Sequence, residues 1–247
     1  MDISQIINKI KEKKSLSGIA DTVVKKELEE HFRRAKIRKE NLSDKDVKII
    51  VHDVRARLRK LSGSFNVESE PEEENILLSH SSTKERADFY DVLREKIYSL
   101  KPKSILDLGC GINPIALAKK GIEYYAYDIN EENLKLVDSF FKQNKIIGET
   151  GVVDLREPAA LPDADICIIF KVLDILDEKD HKRSEALLNS IDCKYFLISF
   201  STKTLSGAPM RHPQRGWIEL LLTRLGYSFE SFSSNNEIFY LATKKAK

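Results

Sequence analysis

The chain has 247 residues, 41% hydrophobic and 32% charged, which suits one large domain or an ordinary domain with a small appendage. No apolar run reaches the roughly 20 residues of a membrane helix, and Met1-Asp2-Ile3-Ser4-Gln5 lacks the basic start and apolar core of a secretory signal, so a cytoplasmic protein is expected. The net charge of +2 hides an asymmetry: residues 1–60 hold 17 Lys/Arg against 10 Asp/Glu, leaving the remainder net acidic.

The first 62 residues read as helical, with no proline and Gly18 as the one glycine. Ile3, Ile6, Ile7 and Ile10 share a face, as do Val23, Val24, Leu28 and Phe32, and then Val47, Ile50, Val51, Val54 and Leu58. Ser43 with Asp46 three residues on is the start signal of the third helix. The opposite faces carry Lys25, Lys26, Arg33, Arg34, Arg57 and Arg59, a basic block read as an RNA-facing surface. A set of solvated helices with Lys-rich outer faces is the alternative. The run Glu68-Ser69-Glu70-Pro71-Glu72-Glu73-Glu74 is acidic and broken by proline, so it reads as a linker. The expected division is a helical domain over 1–66, a linker over 67–78 and a second domain over 79–247.

That second domain opens with a helix expected from Ser82 to Leu100. Strands then alternate with helices: strands at 104–108, 124–127, 151–153, 165–170 and 195–200, helices at 114–120, 130–143 and 182–190. A helix at 217–225 and two strands at 227–232 and 238–242 close the chain, the last two joined by a hairpin turn at 232–237. The rhythm predicts an α/β fold with a mainly parallel sheet covered on both faces.

Asp107-Leu108-Gly109-Cys110-Gly111-Ile112-Asn113-Pro114 lies between the first of these strands and the first helix. Strand, glycine turn and helix in that order make a nucleotide-sized pocket at the carboxyl end of a strand. The spacing departs from the dinucleotide fingerprint, and no Lys-Ser/Thr pair makes a P-loop. An acid two residues before Gly109 suits a cationic ligand, which points to S-adenosylmethionine (SAM). Asp128, at the end of the second strand, is placed to accept the ribose hydroxyls; with Asn130-Glu131-Glu132 after it, a helix cap is the other reading. Asp154 and Leu155 leave the third strand where adenine is expected, and Lys171 leaves the fourth beside the position of the transferable methyl. Cys110 reads as a small buried filler, and Cys110, Cys167 and Cys193 are too scattered for a metal site.

His80-Ser81-Ser82-Thr83-Lys84-Glu85-Arg86, the Asp107–Pro114 segment and Ser199-Phe200-Ser201-Thr202-Lys203-Thr204-Leu205-Ser206-Gly207 together resemble the small-subunit rRNA guanine-N7 methyltransferases of the aminoglycoside-resistance type. The resemblance implies a Rossmann-like class I methyltransferase sheet of seven strands, the last antiparallel, beside a small helical domain. It implies that Arg86 pairs with the cofactor's methionine carboxylate, a match for the guanidinium fork, and that His80 and Ser82 set the surrounding segment over the pocket. Ser201, Lys203 and Trp217 would then position the target base, with Arg211 and Arg215 on phosphates; a core-facing Trp217 is the alternative. The implied enzyme is a monomer that methylates a decoding-site guanine at N7, with the 30S subunit as partner. Another RNA base, a small molecule, or a SAM-binding assembly role without chemistry remain as other readings.

Overall fold

The computed structural model describes residues 2–37, 42–62, 85–157, 159–176, 180–204 and 208–245. Helices α1 (Ile3–Lys11), α2 (Asp21–Ala35) and α3 (Asp44–Leu61) form the first unit. The spacing of their apolar residues dictates the core: Ile6, Ile10, Val24, Leu28, Ile50, Val54 and Leu58 meet in a closed cluster. Ser43 accepts from the Asp46 amide while Asp46 accepts from Ser43, the reciprocal cap expected from the sequence. The expected boundaries at 66 and 79, and the acidic linker, lie outside the described residues.

In the second unit the described residues open on Glu85 and Arg86, in helical conformation, followed by a 3-10 turn at Ala87–Phe89 and helix α4 at Tyr90–Ser99. The single helix expected from Ser82 is therefore interrupted, and residues 82–84 lie outside the description. The turn has a tertiary cause: Phe89 stacks on Phe239 and Phe232 with ring centroids 5.4 and 6.3 Å away, and the neighbouring Arg86 turns into the interior.

Beyond it run β1 (Ser104–Leu108), α5 (Asn113–Leu117), β2 (Glu123–Asp128), α6 (Glu131–Asn144), β3 (Gly148–Val152), β4 (Ala164–Phe170), α7 (Leu173–Leu176), α8 (Lys182–Ser190), β5 (Cys193–Ser201), α9 (Gly216–Arg224), β6 (Tyr227–Ser233) and β7 (Glu237–Lys244). The seven strands are ordered β3-β2-β1-β4-β5-β7-β6. The first five pair in parallel, while β7 runs antiparallel to β5 and β6. Because β1 and β4 are central, they present apolar side chains to both faces, with Asp107 the buried exception in β1. Leu106 and Leu108 join α8 and α9 on one side, and Ile105 joins α4, α5 and α6 on the other. The third strand begins three residues earlier than expected and ends one earlier, so Asp154 lies two residues past its end. No helix among the described residues is long and apolar enough to cross a membrane.

The two units meet at the carboxyl end of β2. Ile19 bridges Asn130, the Ala20 amide donates to the Ile129 carbonyl at 2.9 Å, and the Glu131 amide donates to the Gly18 carbonyl at 2.7 Å. A Cβ on Gly18 would stand 2.4 Å from the Asn130 Oδ1. Glycine is thus what lets the helical unit approach this loop.

Candidate functional site

A sheet ordered in this way reverses its winding between β1 and β4, and ligands bind at the carboxyl ends of the strands there. After β1 the chain turns through Gly109 and Gly111, both at positive φ (66° and 52°). The amides of Gly109 and Cys110 donate to the Tyr127 carbonyl, tying the turn to β2. A side chain on Gly109 would collide with Val172, whose Cγ2 is 2.4 Å from the Cβ position, so the loop is held against the exit of β4.

Asp128 anchors the other side. Its Oδ2 accepts from the Gly111 amide and its Oδ1 from the Asn130 amide, both at 2.8 Å. The capping alternative goes to a neighbour: Asn130 accepts from the amides of Glu132 and Asn133 at the start of α6. Burial raises the Asp128 carboxyl, and the Gly111 and Asn130 amides draw it part of the way back.

Asp107 lies beneath the loop, fully buried. Its Oδ2 accepts from the Tyr124 hydroxyl at 2.8 Å, and its Oδ1 has no hydrogen-bond partner among the described residues. Burial pushes this carboxyl up to about 7, against the opposing pull of the Tyr124 hydroxyl and the Arg86 charge. An unsatisfied buried carboxylate oxygen is costly, and Asp107 itself stands behind the turn and is not one of the residues that line the pocket.

The pocket is walled by Arg86, Gly109, Gly111, Asp128, Asp154, Leu155 and Lys171, and by Ile129, Val153, Phe170 and Val172. The helical unit supplies the rest: Lys14, Ser15, Gly18, Val23, Leu61 and Ser62. That second wall was not read from the sequence, where the helical residues looked like a separate RNA-binding module. His80 and Ser82 lie outside the described residues.

Several expected site residues have other partners. Arg86, only 2% exposed, donates from Nε and Nη2 to the two carboxylate oxygens of Glu237 at 2.8 and 2.9 Å, and from Nη1 to Asn113 at 3.0 Å. Its guanidinium is at the pocket wall, but its fork is engaged from behind. Glu237 also accepts from the Ser199 hydroxyl, and Lys171 Nζ reaches Glu85 at 2.8 Å and Glu237 at 3.5 Å. Asp154 is gripped by Arg156, which donates Nε and Nη2 to its two oxygens at 2.9 and 2.7 Å. Burial alone would raise the Asp154 carboxyl, but the hydrogen bonds and charge of Arg156 outweigh it and hold it low.

The rim departs further from expectation. Trp217 does not stand free for a base: its ring stacks on His181 at 3.9 Å and meets the edge of Phe200, so the core-facing alternative describes it. Arg215 is structural as well, donating to Asp174 and to the carbonyls of Ser201 and Pro213, because the loop must be pinned to β5. Ser201 closes a local turn with Lys203. Lys203 and Arg211 remain exposed, on the loop leaving the carboxyl end of β5. In the helical unit Lys25, Arg33 and Arg59 are exposed. Lys26 instead pairs with Glu157, and Arg34 and Arg57 stand close to Glu27. A further basic groove between α1 and α3 is lined by Lys9, Lys13, Lys48, Arg55 and Arg59.

Sheet order, glycine turn, and the Asp128 carboxylate beside it define a class I methyltransferase. Residues 36–241 match the family model for ribosomal RNA methyltransferase (FmrO), and the chain belongs to that family. It is a SAM-dependent enzyme whose substrate is ribosomal RNA. A Serratia marcescens 16S rRNA (guanine(1405)-N(7))-methyltransferase is 26% identical over 219 residues, 84% of each chain. The solved structure of the 16S rRNA methylase RmtB superposes with a TM-score of 0.74 at 22% identity, covering 99% of both chains. That of 16S rRNA methyltransferase RmtF in complex with S-adenosyl-L-homocysteine (SAH) gives 0.74 at 19% identity, covering 99% of this chain and 100% of the other. At such identities the structural likeness speaks for the fold.

Proposed function

We propose that the protein methylates N7 of a single guanine in the decoding site of 16S rRNA, acting as a monomer on the assembled 30S subunit in the cytoplasm. The observation that carries the reading is the pocket at the β1 turn, with the Asp128 carboxylate beside it and an orphaned Asp107 oxygen beneath, in a chain of this family. Asp128 would take the ribose hydroxyls, Asp107 the ammonium and Leu155 the adenine face, with the Arg86 guanidinium toward the methionine carboxylate. When bound, SAM supplies an electrophilic methyl group. Guanine N7 carries an in-plane lone pair at neutral pH, so the residues around it need only orient the base and exclude water. Positioning of this kind is worth roughly 7–11 kcal/mol. Lys203 and Arg211 at the rim, with Lys25, Arg33 and Arg59 on the helical unit, would neutralise phosphates.

Two experiments test this. Purified 30S subunits incubated with labelled SAM and the protein should acquire label, while 50S subunits and tRNA should not; unlabelled 30S beside labelled tRNA would favour the other RNA substrate. The second follows from Asp107. A carboxyl raised in the folded protein disfavours ionisation, so its contribution to stability is greatest at low pH and is lost as pH rises through about 7. An ammonium placed over it reverses that preference. SAH affinity should therefore climb between pH 6 and 7, by at most about tenfold per unit for one proton, and level off above. Asp107→Asn should flatten the curve; an unchanged curve would show that the ammonium lies elsewhere.

A further inference from the structure

Glu27 is a glutamate with 1% exposure in the middle of α2. One oxygen, Oε1, accepts from Arg34 Nη2 at 2.7 Å, with Arg57 Nη1 at 3.8 Å. The other, Oε2, accepts from Arg156 Nη1 at 2.7 Å, across the boundary between the two units. Arg156 spends its remaining fork on Asp154, and its own amide also donates to Asp154 Oδ1 at 3.1 Å. Lys26, next to Glu27, stands 3.7 Å from the same carboxylate. A continuous chain of ion pairs thus runs from the interior of the helical unit to a carboxylate on the pocket wall. Arg156 and Asp154 line the pocket; Glu27 does not.

We infer that Arg156 is a positioning residue that couples the helical unit to the cofactor pocket, so that the orientation of α2 sets the affinity for the cofactor. The inference rests on the pocket being the SAM site. The geometry favours transmission over simple attachment. The guanidinium is rigid and planar, and three of its nitrogens are committed to two carboxylates on different units. A displacement of α2 therefore has to move Asp154 or break a charge-assisted bond that is 9% exposed at the arginine. Linkage makes the effect reciprocal: RNA that shifts the helical unit alters cofactor affinity, and bound cofactor alters RNA affinity by the same factor.

The test is calorimetric titration of SAH into the full chain and its variants, with hydrogen exchange measured along α2. Glu27→Gln, which removes a charge outside the pocket, should weaken SAH about fivefold or more. Arg156→Lys, which keeps the charge but loses the fork, should do the same without a comparable loss of apo melting temperature. Arg34→Gln disturbs Glu27 from the side away from the pocket and should change affinity by less than about twofold. In the wild type, SAH should slow exchange over residues 27–34, none of which line the pocket, and Arg156→Lys should abolish that protection. Equal weakening by Glu27→Gln and Arg34→Gln, or unchanged exchange over 27–34 on SAH binding, would overturn the coupling while leaving the cofactor site in place. Absence of any SAH binding by the wild type would instead remove the site and the coupling with it.

Discussion

Arg86→Met should lower the melting temperature by about 6–20 °C. The variant leaves Glu237, which is fully buried, without its bidentate partner. Breaking a buried pair from one side costs about 3–5 kcal/mol, because the remaining charge has lost its compensation. In a chain of this size each kcal/mol corresponds to about 2–4 °C. Lys171, 3.5 Å from Glu237, and the Ser199 hydroxyl are too few to replace the fork. The double variant Arg86→Met, Glu237→Leu should recover part of the loss, since the stranded carboxylate is gone. Thermal melts of the two single variants and the double decide the matter: a double as unstable as the sum of the singles would show that the pair is not a unit.

Asp128→Ala should weaken SAH binding by at least about 100-fold. Hydrogen bonds to a charged group contribute about 1.5–3 kcal/mol each, and the carboxylate has two jobs here. It fixes the glycine turn through the Gly111 amide and the start of the next loop through the Asn130 amide, and in the proposed complex it accepts from the ribose. Calorimetry on a variant shown to be folded by its melt would check the value. A loss of threefold or less would mean that the carboxylate only ties loops together.

The part of this site that could be read from the sequence is the part built from near neighbours. Gly109, Gly111 and Asp128 follow from a strand, a turn and the end of the next strand, all within a short stretch whose hydrophobic period is plain. Local capping was readable for the same reason, as Ser43 and Asp46 show. What escaped depends on contacts between distant segments. Glu237 looked like the end of a hairpin turn, yet it closes on Arg86 across 151 positions. Arg156 reaches Glu27 across 129, and nothing in either local pattern marks the pair. A charged residue amid the apolar positions of α2 was the available hint, and Glu27 beside Leu28 carries it. For Trp217, helical spacing fits a rim and a core face equally, and the tertiary contact that distinguishes them is the stack on His181.

The same gap changes what truncation means. Removing the helical unit would separate an RNA enzyme from a small-molecule enzyme only if that unit stood clear of the cofactor pocket. With Lys14, Ser15, Gly18, Val23, Leu61 and Ser62 on the pocket wall, that deletion strips the cofactor site as well, so loss of activity would follow for either substrate. Point changes at exposed cations such as Lys25 and Arg33 separate RNA affinity from cofactor affinity more cleanly. They should weaken RNA binding with a reduced salt dependence and leave SAH binding alone.

Mass spectrometry of nuclease digests of 16S rRNA, from cells with and without the active protein, decides whether the protein methylates the decoding site. One additional 7-methylguanosine is expected, in the fragment that carries the decoding site, and none with Asp128→Ala. Identical digests in the two cells, from a protein that still binds SAH, would contradict it.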